Sequence, residues 1–568
     1  MDSLTSGIEA ISTQPNATIP RYMIVHRVEC PGSTPDHSNH PHISLYLDVP
    51  RLFAGDNKAK PLRGRMPDEE AQLRAKKDPD ISFIIHRTYN CLEYHNALFE
   101  ALRETSVNSS LPNQSSQIYL LPIDAFDAVA EREYMEIAST YLNDAIEAVK
   151  EADIRHGSLD KSSLLGWKRE HNMVAPYLHL YHTRKLLRDH VPQLPHLQSQ
   201  HINLLLNYLD ENFGPDYQEA ERLFDDGLVS RKHFHKLFGP REILVTVEEG
   251  HHIGMISKYP PLAGSNPIRL ECEIWKFNGR FAKHNKTVVI PWPKHAAELD
   301  TVPIRSLGIF PLRFDRQLED RLRKRGEFCW QLRKPRLVLY TAPREVLDYR
   351  MENGRYMVDI DTYRRFHKLT TTENVAIDHV EEYLPSKLTK SDSPPTGNFT
   401  LLLPPMTYGF GFLDKKWRWC LSICLTIGYA DDAFVGKLAI EYAADVVWDE
   451  RIFDRLTIRR DDEKFLSALL LDNKASSDFG AGRGQGRVIL LYGEPGTGKT
   501  FGAKALAELA RKSFYQLTPY EVGIEPKQVE NNIKEAFYLG GIWDAGILPV
   551  PALADTDFAS ANDFKLFF

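Results

Sequence analysis

The stretch that most limits what this chain can become is Arg487-Val-Ile-Leu-Leu-Tyr-Gly-Glu-Pro-Gly-Thr-Gly-Lys-Thr-Phe501. Val488 to Tyr492 form an apolar run of the length of a short buried strand. Gly493, four intervening residues, Gly498, Lys499 and Thr500 then match the spacing of a phosphate-binding loop. A helical pattern follows, with Ala503, Leu506, Ala507 and Ala510 on one face. A polyphosphate is held best by several backbone N–H groups converging on one concavity. Glycine permits the sharp turn and the close approach to oxygen. The start of the helix adds unpaired N–H groups and the positive end of its dipole. Lys499 is placed to neutralise the β and γ phosphates, and the Thr500 hydroxyl to ligate Mg²⁺. The predicted nucleotide site is therefore Gly493, Glu494, Pro495, Gly496, Thr497, Gly498, Lys499 and Thr500, with Thr500 as the metal ligand.

The rest of the chain is ordinary for a water-soluble protein. Apolar residues make up 42% and charged residues 26% of 568. A net charge of −7 gives no support for a nucleic-acid or anionic-membrane partner. No apolar run is long enough to cross a bilayer, and the polar N-terminus lacks the core of a secretory signal. Six cysteines in so long a chain suit a reducing compartment rather than a disulfide framework. The expectation is an intracellular, soluble protein of the cytoplasm or nucleus, not a secreted one.

Composition divides the chain into a disordered tail (1–20), a β-rich region (21–120), a helical region (121–240) and an α+β domain (241–386). A Ser/Pro/Thr/Gly linker (387–400), a connecting region with a long helix (401–485) and the loop-bearing core (486–568) follow. Strands are predicted at 22–29, 43–49, 81–87, 243–247, 272–277, 287–290, 336–340 and 356–359. Helices are predicted over 123–152, 161–190, 196–212 and 439–470. Glu219 to Phe238 reads as two short helices joined at Gly227, a packing unit and not a DNA reader, because no basic surplus surrounds it. Three histidines in Asp36-His-Ser-Asn-His-Pro-His42 read as a solvated loop. The basic run Arg321-Leu-Arg-Lys-Arg-Gly326 reads as a solvated helix end capped by Gly326.

Several further stretches carry a resemblance. They are Tyr46-Leu-Asp-Val-Pro-Arg51 with Leu62-Arg-Gly64, Leu307-Gly-Ile-Phe-Pro-Leu312 with Arg325-Gly326, and Tyr356-Met-Val-Asp-Ile-Asp-Thr-Tyr363. Pro404-Pro405, Gly409-Phe410, Lys415-Lys-Trp417 and Gly484-Gln-Gly486 before the loop complete the set. On these the chain resembles a filamentous-fungal type of AAA-family ATPase with a long N-terminal region of unknown function. The resemblance implies an α/β fold: a mixed α+β N-terminal region, then an incomplete P-loop NTPase (AAA) parallel-sheet domain. It implies ATP and Mg²⁺ as cofactors and a protein partner engaged by the N-terminal region.

The resemblance weakens where the acidic pair of such ATPases should end an apolar strand. Phe514 to Leu517 and the helix Pro526 to Leu539 fit the family, the helix with Val529, Ile533 and Phe537 on one face. The chain then reads Gly546-Ile-Leu-Pro-Val-Pro-Ala-Leu-Ala-Asp-Thr-Asp557. Pro549 and Pro551 are expected to break that strand. The resemblance further places the loop strand between a fourth and a fifth strand that would both follow residue 568, so Val488 to Tyr492 is expected to lack both neighbours and residues 486–568 to be marginal on their own. No catalytic residue is assigned. The function expected is an ATP-binding protein whose full-length form hydrolyses ATP to remodel a partner, while this truncated chain binds but hardly hydrolyses it. The alternative is a non-catalytic interaction protein carrying a remnant nucleotide loop. A small-molecule kinase shares the loop but shows no acceptor site.

Overall fold

A computed structural model of the chain describes residues 19–30, 42–52, 62–91, 128–156, 173–262, 264–294, 296, 301–344, 352–366, 380–415, 417–418, 438–455, 464–466, 488–491, 496–518, 522, 525–548 and 564–567. The chain is mixed α+β with several sheets. It divides into two compact units, one of residues 1–247, 254–273 and 285–316, the other of 248–253, 274–284 and 317–568. The histidines before His42 and the glycines of 480–486 lie outside the described residues.

The first unit is organised by the strand Ile81–Asn90, which is buried along nearly its whole length. It pairs in parallel with Arg21–Cys30 and antiparallel with Arg132–Ile137, inside a five-stranded sheet edged by His42–Tyr46 and Met173–Val174. A strand covered on both faces should be apolar at successive positions, and Phe83, Ile84 and Ile85 are all inaccessible to solvent. Phe83 and Ile85 join a core with the helices Thr140–His156, Leu178–His190 and His196–Asp225. Ile84 joins Val25 and Ala75 in a separate cluster.

Two expectations fail here for identifiable reasons. Among the described residues the helix expected over 123–152 is present only from Thr140; Arg132–Ile137 is a strand. Its side chains alternate: Met135 and Ile137 belong to the helix-side core, whereas Tyr134 stacks on His86 and Glu136 bonds to His86. The two short helices expected over 219–238 are instead the end of one 30-residue helix, His196–Asp225, then the strand Leu228–Ser230 and a 3-10 turn at Phe234–Leu237. Buried Ile202, Leu205, Leu209, Tyr217, Ala220 and Phe224 carry that helix past Pro215. Gly227, at φ +72°, ends it in the left-handed conformation that suits glycine.

The second unit contains a five-stranded antiparallel sheet in the order Trp417–Arg418, Gly409–Gly411, Gly354–Val358, Arg336–Tyr340, Ala443–Asp445. Among the described residues no long helix runs on from 439: they hold the strands Leu438–Ala439 and Ala443–Asp445 and two 3-10 turns, with helix only at 464–466. Ala443 and Ala444 favour helix intrinsically, but pairing with Tyr340 and Leu339 overrides that preference. Gly326 is not a cap. It lies inside the helix Arg316–Gln331, where an added Cβ would stand 2.0 Å from the Thr400 carbonyl oxygen. Glycine is needed there because the backbone of 399–402 packs directly on the helix. Among the described residues no helix is long and apolar enough to cross a membrane.

Candidate nucleotide site

The loop strand is Val488–Leu491, and Ile489 and Leu491 pack against the cluster of Ala503, Ala505 and Leu506 on the helix Lys499–Leu509. Small alanines on that helix bring strand and helix close together. Gly493, Glu494 and Pro495 lie outside the described residues. Gly496 and Gly498 both have φ +84°, and no atom lies within 4 Å of where a Cβ would be. Backbone conformation, not crowding, therefore demands glycine at both positions. Gly498 is the N-cap of the helix and supplies no side-chain bond to it, and no acid occupies the first turn. The first helical N–H groups are thus left to an outside acceptor. Lys499 and Thr500 are half-buried at this end, and the Lys499 Nζ is 3.5 Å from the Thr497 hydroxyl. Thr497 itself is exposed. The donor set suits a phosphate: a cationic side chain, two hydroxyls and an uncapped helix start.

The sheet behind the loop differs from the wholly parallel one expected. Phe514–Gln516 and Gly546–Leu548 do pair in parallel, connected through the helix Pro526–Trp543. Val488–Leu491, however, pairs antiparallel with Phe564–Phe567, which also meets Gly546–Leu548 at Ile547. The loop strand therefore has a neighbour, contrary to expectation. A strand also forms ahead of the prolines, because Gly546, Ile547 and Leu548 complete their ladder before Pro549, where an N–H would be missing. Of the face predicted for Pro526 to Leu539, a helix that runs on to Trp543, Val529 and Ile533 pack inward, while Phe537 is exposed. Ala536, Leu539 and Trp543 do the rest of the burying.

The stretches that carried the resemblance without any chemistry acquire a position here. Met357, Tyr363, Phe410 and Trp417 form one core with Tyr515, Leu517, Trp543 and Ile547. Phe410 lies 5.1 Å and Trp417 5.7 Å from the Trp543 ring, centroid to centroid. Asp359 is buried, accepts the Trp543 indole N–H at 2.9 Å, and caps its own helix through the Thr362 N–H at 3.0 Å. Arg355 grips Glu508 on the loop helix through two bonds, 2.5 and 2.9 Å. Glu508 also accepts the Asp449 N–H at 3.2 Å. The phosphate-loop segment thus rests on the sheet of residues 336–418. Sequence reading missed these anchors; the only signal was that charged or aromatic residues sat inside otherwise apolar strand patterns.

Comparison with known families separates two segments. Residues 489–539 match the family described as "ATPase family associated with various cellular activities (AAA)". The loop segment is similar to the AAA ATPases. Residues 219–316 match a "Domain of unknown function (DUF7025)". No curated protein and no solved structure matches the chain. The AAA segment thus includes the described loop residues Gly496 to Thr500, the helix they open and most of Pro526–Trp543.

Proposed function

We propose that the chain binds ATP with Mg²⁺ at Gly493 to Thr500. The observation that carries this reading is the uncapped start of Lys499–Leu509, entered through two glycines at positive φ, with Lys499 beside it. Main-chain N–H groups and Lys499 hold the β and γ phosphates, and the Thr500 hydroxyl takes one position on the metal. Bound Mg²⁺ supplies charge neutralisation at the phosphate oxygens. Residues 546–557 contain no adjacent acid pair; their acids are Asp555 and Asp557. General-base help of roughly 10²–10⁴-fold is therefore lacking, and turnover by this chain is slow. The fold proposed for 486–568 is an incomplete P-loop NTPase sheet. The region before it engages a protein partner, which a hydrolysing form of the family remodels. The working compartment is the cytoplasm or nucleus, which suits buried Cys91, Cys272 and Cys329, none of them in a disulfide.

Titration of the full chain with ATP and Mg²⁺, followed by thermal shift, tests the binding. At a hundredfold excess over Kd, stabilisation of about 2.7 kcal/mol is expected, and Lys499→Ala removes it. An unchanged melting temperature in the parent chain, or an equal shift in Lys499→Ala, overturns the assignment and leaves the interaction-protein reading. Steady phosphate release that depends on Lys499 refutes the slow-turnover half.

A further inference from the structure

The basic run 321–326 is more than the solvated end of a helix. Arg321, Lys324 and Arg325 line a cavity of about 540 Å³ within the second unit, between the helix Arg316–Gln331 and the segment 440–445. That volume falls in the range of small-ligand sites. Arg325 is only 8% exposed. Its Nη1 donates to the His252 carbonyl at 2.7 Å and its Nη2 to the Leu403 carbonyl at 3.5 Å, while its Nε has no partner. Among the described residues no carboxylate pairs with this guanidinium. Its direct bonds go to carbonyl dipoles, with the Glu441 charge acting on it from farther off; burying such a charge is costly, and burial pushes the Arg325 pKa down.

The other charges of the cavity leave a positive surplus. Glu441 accepts from His251 at 2.7 Å, and Asp445 is held by Arg336 at 2.6 and 3.0 Å. Arg321 and Lys324 are exposed at the cavity and make no ion pair among the described residues. The remaining wall is largely apolar, with Leu318, Leu322 and Phe328 on the helix and Ile440 and Tyr442 opposite.

We propose that this cavity binds an amphipathic organic anion, its carboxylate or phosphate received by Arg321, Lys324 and Arg325 and its apolar body laid against Leu318, Leu322 and Phe328. Positions 318, 321, 322 and 325 share one helix face, so head group and body are read by a single rigid element. Arg325 supplies the fixed charge behind the head group; Arg321 and Lys324 close on it from the rim. The site is independent of the nucleotide reading and is tested without nucleotide.

The experiment is calorimetric titration of the full chain with octanoate, octyl phosphate and the neutral octanamide. Saturable binding of at least one anion is expected, with the amide at least about tenfold weaker, since a charge-assisted bond is worth about that much. Arg321→Ala/Lys324→Ala changes only exposed side chains and should weaken the anion about tenfold with an unaltered melting temperature. Arg325→Lys keeps the charge but loses the fork, and should weaken it less than the double variant. N-acetyl-Leu-Phe with a free carboxylate, set against its amide, distinguishes a peptide C-terminus from a free small acid; tighter binding of either acid supports the shared chemistry. Absence of saturable binding by all the anions overturns the proposal. So does equal affinity for acid and amide, or equal affinity of the double variant and the parent.

Discussion

Replacing Gly326 by alanine adds one methyl group at a place where the structure has no room for it. The new Cβ would lie 2.0, 2.6 and 2.9 Å from the oxygen, carbonyl carbon and Cα of Thr400. Carbon contacts settle near 3.5 Å, so the 399–402 segment must withdraw by about 1–1.5 Å. Phe399, Leu401 and Leu402, all buried, withdraw with it. Phe399 currently meets Trp330 edge-on at 5.7 Å and Phe281 at 5.6 Å. Overpacking costs about 1–3 kcal/mol, and a backbone obstacle cannot rotate away, so a loss near about 3 kcal/mol is expected. The matched control is Gly502→Ala. Gly502 is also helical, but nothing lies within 4 Å of its added Cβ, so the change should stabilise by up to about 1 kcal/mol. Urea unfolding followed by tryptophan fluorescence reads both, with Trp330 beside the perturbed site. If Gly326→Ala stays within about 0.5 kcal/mol of the parent, or if the two alanines shift the midpoint alike, the close-approach argument is wrong.

Other consequences can be measured in the same way. Trp543→Phe removes the donor to buried Asp359 and should cost about 1.5–3 kcal/mol, read by urea titration; a loss under about 0.5 kcal/mol would show the bond to be idle. A double-mutant cycle on Arg355 and Glu508 should give a coupling of about 1 kcal/mol, because the pair is bidentate and partly buried; zero coupling removes it as an anchor. Gly498→Ala should cost about 1–2 kcal/mol from its left-handed backbone and weaken ATP binding, whereas an unaltered melt and affinity contradict the assigned conformation. Burial, helped by the Arg87 charge, holds the His26 pKa down to about 4 from 6.5. The unfolded chain therefore takes up this proton first: the contribution is intact above pH 6.5 and is lost as pH falls toward 4, by up to about 3 kcal/mol. Comparing the parent with His26→Gln over that window isolates the effect, and parallel pH profiles would exclude it.

The strand Val488–Leu491 and the helix Lys499–Leu509 form where the local pattern placed them, because strand, glycines, lysine and helix follow one another directly in sequence. The strand Ile81–Asn90 was plain from Ile81 and the apolar run Phe83-Ile-Ile85. The failures share a cause. Arg132–Ile137 is a strand because Ile81–Asn90 offers it a ladder, and Ala443–Asp445 because Tyr340 does; neither partner is near in sequence. Gly326 looks like a helix end until Thr400 is seen against it. The Trp543–Asp359 bond joins positions 184 residues apart, beyond any periodicity. The partner strand Phe564–Phe567 was missed because a strand of four residues carries too short a pattern to be read.

The aromatic seat under the loop segment has a temporal meaning. Synthesis runs from the N-terminus, so Asp359, Phe410 and Trp417 emerge before the residues they receive. The later segment then lays Tyr515, Leu517, Trp543 and Ile547 on a surface already made, and that surface is apolar until they arrive. A ribosome paused before residue 488 would leave that surface uncovered, which makes the interval between the two halves the moment when this chain is most exposed to chaperones and to aggregation.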